Sequence, residues 1–158
     1  MAEKILVPLD GSKVGEAALP YIEDLVTKLV PSEKVEVTLI QVVSSLAHYI
    51  VVGEEAVRAP YTPQEIEQIK RRAQQYLTKA GESLKKTGAT IKVSVTVGNA
   101  AEEILGAADE LKVDMIAMSS HGRSGLSRLA FGSVTDKVLH SSNRPVLVVK
   151  APKGADKD

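Results

Sequence analysis

Lys4-Ile5-Leu6-Val7-Pro8-Leu9-Asp10-Gly11-Ser12 opens the chain with an apolar run that does not alternate and that ends in turn residues. Such an uninterrupted run suits a strand covered on both faces, the environment of a parallel sheet. The period then changes. Over about residues 13–30, Ala17, Ala18, Tyr21, Ile22, Leu25 and Leu29 recur at helical spacing. Strand, turn and amphipathic helix together make the first half of a βαβ unit. The pattern repeats down the chain, with β-rich runs over 35–43, 90–97, 114–118 and 145–149. Helical stripes fall between them over about 63–87, 100–111 and 132–142. This alternation with short connections predicts a single α/β domain, a doubly wound parallel sheet of five strands with helices on both faces.

Punctuation agrees with the division. Thr62-Pro63 reads as an N-cap followed by proline at the first helical position, and Gly88 after Lys85-Lys86-Thr87 reads as a helix stop. The domain is expected to span 1–150, with 151–158 as a flexible polar tail containing Pro152 and Gly154. One segment breaks the rhythm. Residues 44–61 show no clean period, yet carry Tyr49, Ile50, Val51, Val52 and Tyr61. A surface insertion and a lid or subunit-contact element both fit such a stretch.

Composition removes several function classes. The 158 residues include no cysteine, which excludes disulfides, thiolate zinc sites and cysteine nucleophiles. Lys plus Arg equals Asp plus Glu at 20 each, so the basic excess that favours nucleic-acid binding is missing. The opening apolar run is too short for a signal-peptide core, and no stretch is long enough to cross a bilayer. A cytoplasmic protein without a membrane partner is the expectation.

In open parallel sheets the ligand crevice lies beyond the carboxyl ends of the strands, where the winding reverses. Two loops fall at such ends. One is Pro8-Leu9-Asp10-Gly11-Ser12. The other runs from Met118-Ser119-Ser120-His121-Gly122 through Arg123, Gly125 and Arg128 to Gly132-Ser133-Val134-Thr135. Gly122, Gly125 and Gly132 permit close backbone approach and positive φ. Ser133 and Thr135 open the last helix, whose first amides suit phosphate oxygens. Asp10 can accept from a ribose hydroxyl or bind a metal ion. Asp10 or Ser12 can equally cap the first helix, and Gly132-Ser133 can simply start the last one. The P-loop, the dinucleotide G-x-G-x-x-G and the G-x-S-x-G elbow are all missing, and His48, His121 and His140 show no metal-ligand spacing. His121 reads as a residue that stabilises the glycine loop.

Several blocks resemble the universal stress protein family across residues 4–150. They are Ile5-Leu-Val-Pro-Leu-Asp-Gly-Ser12, Val97-Gly-Asn-Ala-Ala-Glu-Glu-Ile104 and Arg144-Pro-Val-Leu-Val-Val149. Most specific is Ser119-Ser-His-Gly122, nine residues, then Gly132-Ser133. It resembles the G-x2-G-x9-G-[ST] motif of the ATP-binding branch, with Ser119 in place of the first glycine. The resemblance implies strand order 3-2-1-4-5, with the reversal between the first and fourth strands. It implies Pro8, Leu9 and Asp10 at the adenosine end, with Asp10 near the ribose, and Val42 against the adenine. Met118, Ser119, His121, Gly122 and Arg123 would continue the wall, and Gly132, Ser133, Val134 and Thr135 would hold phosphate.

The expected function is an ATP-binding stress-response or regulatory protein, with magnesium or manganese on the phosphates. It would act through ligand-dependent conformation or association. Slow ATP hydrolysis or nucleotidyl transfer is the alternative, with Asp10, His121, Arg123 and Arg128 as candidates. A third reading is a dimeric interaction module that takes another adenine nucleotide, such as cyclic AMP, or none. The last strand, Val146-Leu147-Val148-Val149, is apolar yet falls at the sheet edge in that order, so a homodimer through it is expected.

Overall fold

The computed structural model describes residues 2–31, 33–44, 46–121 and 131–151. Its centre is a five-stranded parallel sheet built from β1 (Ala2–Pro8), β2 (Lys34–Val43), β5 (Thr90–Val97), β6 (Met115–Ser119) and β7 (Val146–Val149). The order is β5-β2-β1-β6-β7, all neighbours parallel. Counting the sheet strands alone, this is the expected 3-2-1-4-5. The direction of winding reverses between β1 and β6, so their carboxyl ends flank a crevice.

Adjacent strand residues feed opposite cores. Ile5 and Val7 of β1, with Val37 and Leu39 of β2, pack beneath Ile22, Val26, Leu77 and Leu84 from the helices of one face. Leu6, Ile40, Ile116 and Met118 face the other way, onto Ile104, Ala108 and Val138. Both faces of the central strands are therefore buried, which is why their sequences run apolar without alternation.

The helices are α1 (Leu19–Leu29), α2 (Pro63–Ala80), α3 (Glu82–Lys85), α4 (Ala100–Glu110) and α5 (Ser133–Ser141). The first helical stretch is not one helix, as its pattern suggests. Val14–Ala18 forms a 3-10 helix before α1 begins. Pro20 sits in the first turn of α1 and has no N–H to continue an α-ladder back to Glu16. The second stretch also divides, at Gly81. A Cβ there would meet Leu39 Cδ1 at 3.0 Å and Ile91 Cγ2 at 3.1 Å, so the bare glycine lets the backbone settle onto the sheet.

Residues 44–61 are more regular than their sequence implies. β3 (Ala47–Val52) and β4 (Glu55–Pro60) form an antiparallel hairpin paired from Ala47↔Pro60 to Val52↔Glu55. Gly53 turns it with φ +66, a value that suits glycine at the first position of a two-residue turn. The hairpin's base is closed by Tyr61 N donating to Leu46 O at 2.8 Å and by the stacking of His48 on Tyr61. Neither face of the ribbon is buried, so no alternation marks it in the sequence. Thr62 then caps α2 in a reciprocal box: Glu65 N donates to Thr62 Oγ1, and Thr62 N donates to Glu65 Oε2 at 2.7 Å. Those bonds from Thr62 hold the Glu65 carboxyl below its usual pKa.

Among the described residues, no helix is long and apolar enough to cross a membrane. Of the expected tail over 151–158, only Ala151 lies within the described residues.

Candidate functional site

A cleft of about 530 Å³ opens where β1 and β6 diverge. Pro8, Leu9 and Asp10 line it from the end of β1, and Val42 from β2. Met118, Ser119 and His121 line it from the end of β6, and Gly132, Ser133, Val134 and Thr135 from the start of α5. The residues singled out at two distant points of the sequence therefore meet around one space. Gly122 and Arg123, with Gly125 and Arg128, lie outside the described residues.

The Asp10 side chain is held from below. Ser12 N donates to Asp10 Oδ1 at 2.9 Å, and the Ser12 hydroxyl donates to the same oxygen. Ser12 Oγ in turn accepts from Gly15 N at 3.0 Å, so Ser12 also satisfies the start of the 3-10 helix. The capping role and the cleft role thus belong to one linked turn. Gly15 makes the turn possible, because a Cβ at that position would overlap the Asp10 carboxylate. Next to it, Glu16 Oε1 accepts from the Tyr76 hydroxyl at 3.0 Å, which ties α2 to this loop. Burial, together with the nearby Glu16 carboxylate, raises the Tyr76 phenol well above its ordinary range.

On the other side, Ser119 closes β6 rather than opening the loop, since it pairs in register with Val149. Its buried hydroxyl lies 2.9 Å from Val14 O and 2.8 Å from His121 O. One proton thus serves two carbonyls, joining β6 to the 3-10 helix and to the next turn. Ser120 Oγ accepts from Ala151 N at 3.2 Å and stands 2.9 Å from His121 Nδ1. His121 is therefore anchored where it enters the loop, as its position suggests.

The start of α5 is fixed by two bonds. Gly132 N donates to Ser120 O at 2.9 Å, and Thr135 Oγ1 donates to Ser119 O at 2.9 Å. The first α5 bond runs from Asp136 N to Gly132 O at 2.9 Å. The amides of Ser133, Val134 and Thr135 precede it and have no acceptor within the helix. With the positive end of the helix dipole they form an anion-binding end at the cleft wall. Gly132 departs from expectation: its φ is −58°, so its backbone does not need glycine, and what matters is the missing side chain. The Thr135 hydroxyl proton is committed to Ser119, so Thr135 can offer an anion only its amide.

Among the described residues, seven more line the cleft that the sequence did not mark: Gly15, Gln41, Val43, Ser44, Ile69, Ala100 and Ile104. Ile69 and Ile104 sit on apolar helical stripes and so look like core. Their nearness to the amino ends of α2 and α4, at the carboxyl edge of the sheet, is the signal that separates them. The resulting wall is largely apolar with a few polar groups, the usual make-up of a small-molecule pocket.

The sequence pattern of the Universal stress protein family matches residues 1–150. This chain belongs to that family. Universal stress protein MJ0577 of Methanocaldococcus jannaschii is 31% identical over 95% of this chain and 96% of its own length. Universal stress protein YxiE of Bacillus subtilis is likewise 31% identical, over 95% of this chain and all of its own. The solved structure of MJ0577 superposes with a TM-score of 0.70 at 27% identity, covering 96% of this universal stress protein and 98% of that chain. The same fold occurs with AMP bound in a family protein from Arabidopsis thaliana, at TM-score 0.65 and 14% identity over 98% and 99% of the two chains. It occurs with dAMP bound in the Archaeoglobus fulgidus protein, at 0.57 and 20% over 93% and 97%.

Proposed function

We propose that this universal stress protein binds an adenine nucleotide, ATP in the first instance, in the cleft between β1 and β6. The observation that carries the reading is the convergence of the Asp10 turn and the first amides of α5 on one largely apolar-walled space. Asp10 is placed to accept from ribose hydroxyls, and Val42 and Met118 offer apolar surface to a base. Ser133, Val134 and Thr135 offer backbone N–H groups to phosphate oxygens. The AMP- and dAMP-bound proteins of the same fold support the choice of ligand class.

Among the described residues no group of three or more His, Cys, Asp or Glu could hold a metal. Asp10 is the one carboxylate among the described residues of the cleft wall. A magnesium or manganese ion would therefore be held mainly by the phosphates of the bound nucleotide, with the Ser133 hydroxyl as a nearby oxygen donor. We read the protein as a ligand-responsive regulator in the cytoplasm, working through conformation or association. Its homodimer would form by antiparallel pairing of β7, an edge strand whose Leu147 is exposed.

Calorimetric titration with ATP, ADP and cyclic AMP, with and without magnesium, tests the reading. Saturable ATP binding is expected. No saturable binding of any adenine nucleotide at millimolar ligand would overturn it, and steady phosphate release with bound ATP would replace it with the hydrolase reading.

A further inference from the structure

The β3–β4 hairpin exposes apolar side chains on both faces: Tyr49 is 75% exposed, Val51 78%, Val52 58% and Val57 44%. A two-stranded ribbon with no third strand or helix against it is marginal in water. Its exposed patch therefore calls for a cover. The tip next to this patch is acidic, with Glu54 and Glu55 following Gly53. The edge of β3 over 48–52 contains no proline, whose missing N–H would interrupt a backbone ladder.

The complement lies elsewhere on the same chain. β5 is the sheet's other edge strand, paired among the described residues with β2 alone. Beside it a groove of about 290 Å³ is lined by Val93 and Val95 of β5 and by Glu67, Lys70, Arg71 and Gln74 of α2, two cations against one carboxylate. A strand edge flanked by two valines and by a lining with a net positive charge suits an extended apolar segment that ends in carboxylates. The hairpin is such a segment. It does not occupy the groove of its own chain, given the exposure of Val51 and Val52.

We infer that the hairpin docks on the β5–α2 groove of a second copy of this chain, with β3 extending the partner's sheet and Glu54 and Glu55 facing Lys70 and Arg71. A two-fold axis repeats the contact, so each copy gives one hairpin and receives one. This interface is distinct from the β7 edge on the opposite side of the sheet.

Light scattering on size-separated protein tests it through charge reversal. E54K/E55K and K70E/R71E are each expected to halve the mass of the assembly. An equimolar mixture of the two should restore it, because every reversed hairpin then meets a reversed groove. Unchanged mass in either variant, no recovery on mixing, or a wild-type chain that is monomeric at high micromolar concentration would overturn the inference. Circular dichroism of each variant separates loss of contact from loss of fold, and a folded I50S/V52S variant should show the same halving.

Discussion

The hydroxyl of Ser119 stands 2.9 Å from the carbonyl oxygen of Val14, across 105 positions of sequence. This bond joins the end of β6 to the 3-10 helix that carries Gly15, so the two lips of the cleft share one buried contact. Ser119 therefore has a structural task of its own.

Ser119→Ala should lower stability by about 1–3 kcal/mol, the cost of leaving buried carbonyls without their donor. Ser119→Gly should lower it further, since glycine loses more backbone freedom on folding than alanine does. Both variants should keep nucleotide affinity within a few-fold. Denaturant midpoints and calorimetric titration measure the two effects separately. A loss of affinity beyond about tenfold, or about 1.4 kcal/mol, would instead assign the hydroxyl a direct ligand contact.

Gly132→Val should fold normally, because the φ of −58° at this position is open to any residue. Its side chain would stand over the amides of α5 and block an anion. Nucleotide affinity is expected to fall at least about tenfold, or about 1.4 kcal/mol. Wild-type affinity in a folded variant would move the phosphate site away from α5.

Gly15→Ala forces a Cβ into the Asp10 carboxylate and should weaken nucleotide binding as much as Asp10→Ala does. The two changes should not add. In a double-mutant cycle the alanine at 15 should cost little once Asp10 is gone. Full additivity would show that Gly15 acts on the ligand without passing through Asp10.

Glu65 carries a depressed folded-state pKa, caused first by its bond from the Thr62 backbone. The sign follows from linkage: a carboxyl lowered on folding adds stability above its unfolded pKa and loses it as pH falls through the folded value. The stability gap between wild type and Glu65→Gln should therefore be largest near neutral pH and should close in acid. Chemical denaturation at a series of pH values checks this, and a gap that widens on acidification would contradict it.

Val148→Asp places a charge on each side of a β7–β7 junction and should halve the mass of the assembly. Sedimentation at micromolar protein reads the outcome. An unchanged mass would remove the β7 edge as an interface.

Sequence alone determined the sheet and its buried faces, because Ile5, Leu6 and Val7 have no polar alternation and only a strand covered on both sides accommodates that. It also marked Asp10 and Gly132-Ser133, since turn residues and helix starts advertise themselves locally. Tertiary structure decided what depends on approach between distant backbones. Gly15 matters because of where the Asp10 carboxylate lies, and Gly81 because of how closely α2 rests on Leu39 and Ile91. Neither glycine occupies a positive-φ position that a local pattern could announce. Ile69 and Ile104 line the cleft although their helical stripes look like ordinary core, because periodicity fixes the face of a helix and not how far along the sheet that face extends. The hairpin stayed hidden for the opposite reason. Alternation records a difference between a wet face and a dry one, and a ribbon exposed on both faces has none to record.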